Sequence, residues 1–284
     1  MRAACVLLAV VAVWSGMPAA AAPQRTFDAK AYRAPETGPL AAMPASTTGV
    51  VSGDAILQEL VSHNEWRQSR LQGYSEKRIY RVVNEHGAVS AEEDVSVKFE
   101  APDIKRYTVT AEHGSSVIRR LVFQRLLDSE VETAGGRLRR ESAITPANYR
   151  FQFLGEDQLD GRPCYVVEAT PTRKAKYLFE GKVWIDSEDF AVAKIEGQPA
   201  NNPSWWTRKI HFVRRYEKVG DFWLPLSDES VNEVRIFGVY ILSIEHQDYE
   251  VTTENQKAEG RNQKSEMKRP RAQASFFELR LSDF

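Results

Sequence analysis

The run Asp94-Val95-Ser96-Val97-Lys98-Phe99 decides the class of this chain, because apolar and polar residues alternate with a period of two. That spacing places Val95, Val97 and Phe99 on one face of a strand and leaves the other face wet. The same rhythm returns further on. Tyr149, Phe151 and Phe153 alternate with Arg150 and Gln152, while Tyr177, Phe179, Val183 and Ile185 interleave with Glu180, Lys182 and Asp186. Half-buried strands of this kind favour antiparallel sheet over alternating β-α-β units.

Turn residues separate the runs: Asn84 to Gly87, Asp160-Gly161, Gly220-Asp221 and Gly238. Asp-Gly between two strand patterns is the strongest hairpin signal among them. After Pro199 and Pro203, three long strands are predicted, Trp205 to Tyr216, Phe222 to Val234 and Val239 to Val251. In the first of these, Trp206, Ile210, Phe212 and Tyr216 share the inward parity, with Trp205 on the outer face.

Two helices complete the pattern. Ser52 is read as the cap of a helix that carries Ile56, Leu57, Leu60, Val61, Asn64 and Leu71 largely on one side and ends near Gly73. Between Ser116 and Thr133, Ile118, Leu121, Val122, Leu126 and Leu127 spread over a broad apolar arc.

The ends are different. Met1-Arg2, the apolar stretch to Val13 and the small residues Ala19 to Ala22 have the order of a secretory signal, assigned to residues 1–22. Residues 23–51 are Pro- and Ala-rich and read as a linker, residues 52–251 as one β domain, and residues 252–284 as a polar, disordered tail. Removal of the signal takes Cys5 with it, so Cys164 is expected to be a structural core thiol without a disulfide partner.

Chemistry-bearing patterns are scarce. The five histidines have no metal-ligand spacing, and no nucleophile elbow, phosphate loop or dinucleotide fingerprint occurs. The expectation is no catalytic residue, no metal and no cofactor, hence a non-enzyme. A formal charge of −1 offers no basic field for nucleic acid. Glu92-Glu93-Asp94 and Asp228-Glu229 are read as surface charge, and Arg137, Arg139 and Arg140 either as a contact for phosphate head groups or an acidic partner or as a solvated basic run.

Several of these segments together resemble the LolA-like proteins, which include periplasmic lipoprotein carriers and outer-membrane lipoprotein-sorting proteins. The resemblance spans roughly residues 52–251. It is carried by the opening helix leading into Tyr74, by Asp160-Gly161-Arg162-Pro163-Cys164-Tyr165-Val166-Val167, and by Val183-Trp184-Ile185-Asp186 with the strand from Phe190. Asn202-Pro203-Ser204-Trp205-Trp206-Thr207-Arg208 and Phe222-Trp223-Leu224-Pro225 complete it.

The resemblance implies a mainly β, α+β fold: a strongly bent antiparallel half-barrel whose helices cover an apolar concave face. It implies a periplasmic or cell-envelope carrier, acting as a monomer, that shields acyl chains of a lipid or lipoprotein during trafficking. An envelope membrane protein is the second expected partner. Each methylene removed from water contributes about 0.8 kcal/mol, so one chain suffices for useful affinity. Strand parity nominates Val95, Val97, Phe99, Tyr177, Phe179, Trp206, Ile210 and Phe212 as the lining, and Arg208 and Arg214 as inward arginines. The helix from Ser116 to Thr133 and the basic tail depart from what such a carrier requires. The rival reading is an RseB-like envelope-stress regulator, or an interaction module with a filled core and no ligand.

Overall fold

The computed structural model describes residues 52–134, 136–201, 207–235 and 238–253. The expected signal and linker, most of the tail, and Trp205 and Trp206 lie outside the described residues. Among the described residues, ten strands form one antiparallel sheet, which is not closed. The chain opens with helix α1 (Gly53–Arg70) and the meander β1 (Leu71–Asn84), β2 (Val89–Glu100) and β3 (Ile104–Gly114). It then crosses through α2 (Ser116–Ile118), a π turn (Arg119–Phe123), α3 (Gln124–Thr133) and α4 (Gly136–Ser142). A second meander returns: β4 (Tyr149–Leu159), β5 (Arg162–Pro171), β6 (Phe179–Asp186), β7 (Ala191–Pro199), β8 (Thr207–Val219), β9 (Phe222–Val234) and β10 (Gly238–Thr253). The spatial order is β3-β2-β1-β10-β9-β8-β7-β6-β5-β4, so β3 and β4 are the edges and β1 pairs with β10.

The helix α1 shows how sharply the sheet bends. It touches β1, β7 and β4, although β1 and β4 stand seven strand spacings apart. In a flat sheet that separation is about 34 Å, whereas 18 helical residues extend only about 27 Å. Only a curled sheet brings its edge back to the same helix.

Local sequence explains the turns and the helix position. Ser52 accepts a hydrogen bond from the Ala55 amide at 3.2 Å and caps α1, as expected. Asp160 (φ 51°) and Gly161 (φ 80°) both adopt the left-handed region that a two-residue hairpin demands. Arg162 leaves that hairpin and clamps fully buried Asp186 with two hydrogen bonds, at 2.6 and 2.9 Å. Asp186 in turn accepts from the amides of Glu188 and Asp189, fixing the β6–β7 turn. Arg67 near the end of α1 donates to the carbonyls of Asp189 and Phe190 at 2.8 Å each, so the helix is moored on the turn that Asp186 builds.

Three apolar clusters of the described residues fill the inside. Ile56, Leu57 and Leu60 of α1 pack on Val166, Val167, Phe179, Val183, Ile185, Ile195, Ile210 and Phe212. Val122, Phe123, Leu126 and Leu127 cover Tyr80, Val82, Val95, Val97, Leu242 and Ile244. Leu71, Tyr74, Phe99, Phe222 and Leu224 close one end. Cys164 is 1 % exposed, and burial pushes its thiol up to about 11. A thiol held protonated and out of water is a poor nucleophile. Native protein at pH 8 is therefore expected to leave Cys164 unmodified by a thiol-disulfide reagent, with full reaction in denaturant; rapid native labelling of Cys164 would contradict its placement.

Candidate functional site

The inward face of the sheet is the candidate site, and the eight nominated lining residues do not form one surface on it. Val95 and Val97, each 1 % exposed, lie beneath the π turn and α3. Phe99 stacks on Tyr74 with ring centroids 5.3 Å apart in the end cluster. Phe179, Ile210 and Phe212 meet under α1, where the rings of Phe179 and Phe212 contact edge to face at 5.9 Å. Tyr177 does not join them. The strand begins only at Phe179, so its alternation does not reach back, and half-buried Tyr177 lies in the preceding turn with Lys176 against its ring. Trp206 is outside the described residues.

Between the apolar clusters runs a feature that periodicity missed, a buried chain of alternating charge. Lys105 on β3 meets Glu130 on α3 at 2.8 Å. Glu130 also takes two hydrogen bonds from Arg78 on β1, at 2.9 and 2.8 Å, and Arg78 reaches Glu76 at 2.6 Å. Glu76 contacts His246 Nδ1 on β10 at 2.8 Å, and His246 Nε2 stands 3.2 Å from Asp228 on β9. Asp228 accepts from Arg214 on β8. All seven residues are 5 % exposed or less.

The electrostatics follow from the alternation. Burial by itself would raise the Glu130 carboxyl, but Arg78 and Lys105 outweigh it and hold the group down at about 2. Asp228 is likewise held at about 2, with Arg214 and His246 overcoming burial. Glu76 lies well below the usual carboxylate range, because Arg78 and His246 overcome the same cost. Burial lowers Lys105, with Glu130 opposing, whereas the carboxylates around Arg78 and Arg214 more than offset burial and raise both. The chain thus sets three buried carboxylates against Arg78, Lys105 and Arg214, with His246 between Glu76 and Asp228 and Glu130 as the contribution of α3.

Two expectations are corrected here. Asp228 and Glu93 are buried rather than on the wet face. Glu93 shares the parity of Val95 and Val97, and Asp228 shares that of buried Ser230, Asn232 and Val234. Of the two arginines given inward parity, Arg214 is buried while Arg208 is exposed beside Glu233, with a register irregularity between Thr207 and Lys209 separating them.

A cleft of about 470 Å³ opens where β2 and β3 meet α2, the π turn and the start of α3, lined by Glu93, Tyr107, Val109, Glu112, Val117 and Arg119 among others. No group of three or more His, Cys, Asp or Glu among the described residues could hold a metal ion. Nor is any helix among them long and apolar enough to cross a membrane.

A family model described as an uncharacterized protein matches residues 141–255. No curated protein matches the chain. Among solved structures, the chain is similar to a DUF1329 family protein from Desulfovibrio piger, at 14 % identity and a TM-score of 0.40, covering 70 % of this chain and 92 % of that one. It is similar to a putative outer membrane lipoprotein-sorting protein domain from Vibrio parahaemolyticus, at 13 % identity and a TM-score of 0.38, over 72 % and 95 %. A LolA superfamily protein from Nitrosomonas europaea matches at 11 % identity and a TM-score of 0.35, over 72 % and 94 %. The latter two carry the names of the group that the sequence resembles.

Proposed function

We propose that this protein is an exported, non-enzymatic binding protein of the cell envelope that shields the acyl chains of a lipid or lipoprotein. One observation carries the reading: the apolar concave face of an open sheet is covered by helices and not by a second sheet. Displacing α1 or the α2–α3 segment exposes Phe179, Ile210 and Phe212, or Val95 and Val97, without breaking a hydrogen bond between strands. Apolar side chains so uncovered offer an acyl chain the same environment that the helix gave them. The moorings of the helices are polar and discrete, Arg67 for α1 and Glu130 for α3, so each release has a defined cost.

The test is native mass spectrometry of the mature protein purified from its own envelope, then organic extraction and uptake of a fluorescent fatty acid. Expected is a co-purifying acyl lipid or lipoprotein, with uptake lost in Phe212→Asp and retained in Lys209→Asp, whose side chain is on the exposed face. Trp206→Asp against Trp205→Asp makes the same comparison at the parity-assigned tryptophans. A clean apo mass with no fatty-acid uptake would favour a filled-core interaction module instead.

A further inference from the structure

We propose that the cleft beside β3 binds a zwitterionic amphiphile head group, with a primary ammonium on Glu93 and the adjoining anionic group facing Arg120. Glu93 forms the cleft floor and is 3 % exposed, yet it makes no hydrogen bond or ion pair with any described residue. A carboxyl that opens only onto the cleft and has no hydrogen-bond partner in the protein is poorly solvated, and a ligand that brings N–H donors supplies what is missing. Its ladder partner on β3 is Glu112, so two carboxylates face each other across the strands. Burial and then Glu112 push the Glu93 carboxyl up to about 7, with Arg119 opposing them only in part.

The cations nearby do not supply one. Arg119 donates to Glu112 at 3.2 Å and to the carbonyls of His113 and Gly114 at 3.2 and 2.7 Å. Arg120 is exposed and makes no ion pair among the described residues. Both belong to the π turn, a widened helical turn of the kind that recurs where side chains are re-aimed at a ligand. The lining carries two guanidiniums and two carboxyl groups, Glu93 being only partly ionised near neutral pH, so a simple cation gains little and a simple anion leaves Glu93 without a donor. An ammonium with an anion beside it matches the acidic floor and the basic rim together.

The remaining wall is apolar. Tyr107 and the exposed Val109 and Val117 line it, and Val117 is 50 % exposed to water without a ligand. About 470 Å³ lies within the usual range of small-ligand sites. It accommodates a head group and the start of an acyl chain. For that chain the inference rests on the acyl-shielding reading above; the head-group preference stands on Glu93.

The experiment is calorimetric titration of the mature chain with monomeric dodecanoyl lysophosphatidylethanolamine and lysophosphatidylcholine, which differ in ammonium N–H donors. The ethanolamine lipid is expected to bind about tenfold tighter, the scale of one charge-assisted hydrogen bond. Glu93→Gln is expected to erase that preference, weakening the ethanolamine lipid more than the choline lipid, which loses only the attraction of its charge. Val117→Trp, an exposed-wall change that fills the cleft, gives the same loss of preference should Glu93→Gln fail to fold. Equal wild-type affinities, or a preference that survives either folded variant, would overturn the head-group site while leaving acyl shielding intact. Binding of neither lipid would sink both readings.

Discussion

Replacing Glu130 with alanine is expected to lower the unfolding free energy by about 3–5 kcal/mol, because Arg78 and Lys105 are then left buried without their shared carboxylate. The size of the effect comes from Lys105, left buried without its carboxylate, and from Arg78, which keeps Glu76 but loses two hydrogen bonds, rather than from the net value of the intact ion chain, which is small where burial and attraction nearly cancel. Glu130→Gln keeps the shape but not the charge, and belongs in the same series. Urea denaturation at pH 7 measures both, and a loss under 1 kcal/mol in Glu130→Ala would show that α3 is not held by this contact.

The same carboxylates set an acid limit. Glu130 and Asp228 are held near 2 in the fold against about 4 in an unfolded chain. A folded-state value below the unfolded one means that the unfolded chain binds protons first as pH falls. Their contribution is therefore complete above about pH 5 and declines as pH falls from there toward 2. The slope of stability against pH in that window is expected to be shallower in Glu130→Gln, since one of the titrating groups is gone.

The second large effect is at Gly181, which pairs with Gly197 across β6 and β7. A Cβ at Gly181 would collide with the Glu196 carbonyl and lie 2.6 Å from the Gly197 Cα. Both obstacles are backbone, so neither can swing aside, and glycine in a strand often marks such a close approach. Gly181→Ala is expected to cost about 3 kcal/mol or more, within the upper tail of single substitutions. Gly87→Ala provides the contrast. Its backbone is left-handed at φ +81° but meets nothing within 4 Å, so only the conformational cost of about 1–2 kcal/mol applies. Equal losses at the two positions in chemical denaturation would refute the steric account.

What the sequence reveals depends on how local the signal is. Ser52 and the apolar stripe of Ile56, Leu57 and Leu60 announce α1, and Asp160-Gly161 announces its hairpin, because caps and turns are decided within a few residues. Phe222 to Val234 is recovered at its observed limits. Elsewhere the period-two pattern fails. On β6 both faces are covered, Trp184 and Asp186 as well as Val183 and Ile185, and β3 is an edge strand with little apolar alternation.

The charge chain draws its members from β1, β3, α3, β8, β9 and β10, so no window of sequence contains it. Signals existed nonetheless. Glu76 and Arg78 share the parity of Tyr74, Tyr80 and Val82, and Glu130 stands four residues from Leu126 and three from Leu127 on the covered side of α3. Reading every charge as wet hides such residues; giving parity precedence over polarity would have found them. The cleft was beyond reach for a different reason. The opposition of Glu93 to Glu112 depends on a ladder whose register shifts at Asp94/Val95, and register is set by the whole hairpin.

The pairing of β1 with β10 also governs the order in which the chain can fold. Arg78 and His246 face each other in register across 167 intervening positions of sequence, so the first meander has a free edge until the last strand has been made. Loop closure over such a span is slow compared with the local hairpins on either side. During that interval β1 and β9 each offer an unpaired row of backbone donors and acceptors, which is the state most prone to joining the wrong partner. Arrival of β10 ends that exposure on both sides at once and delivers His246 to the gap between Glu76 and Asp228. The strand that completes the sheet thus also completes the ion chain, so the halves gain their shared polar interior only when assembly is finished.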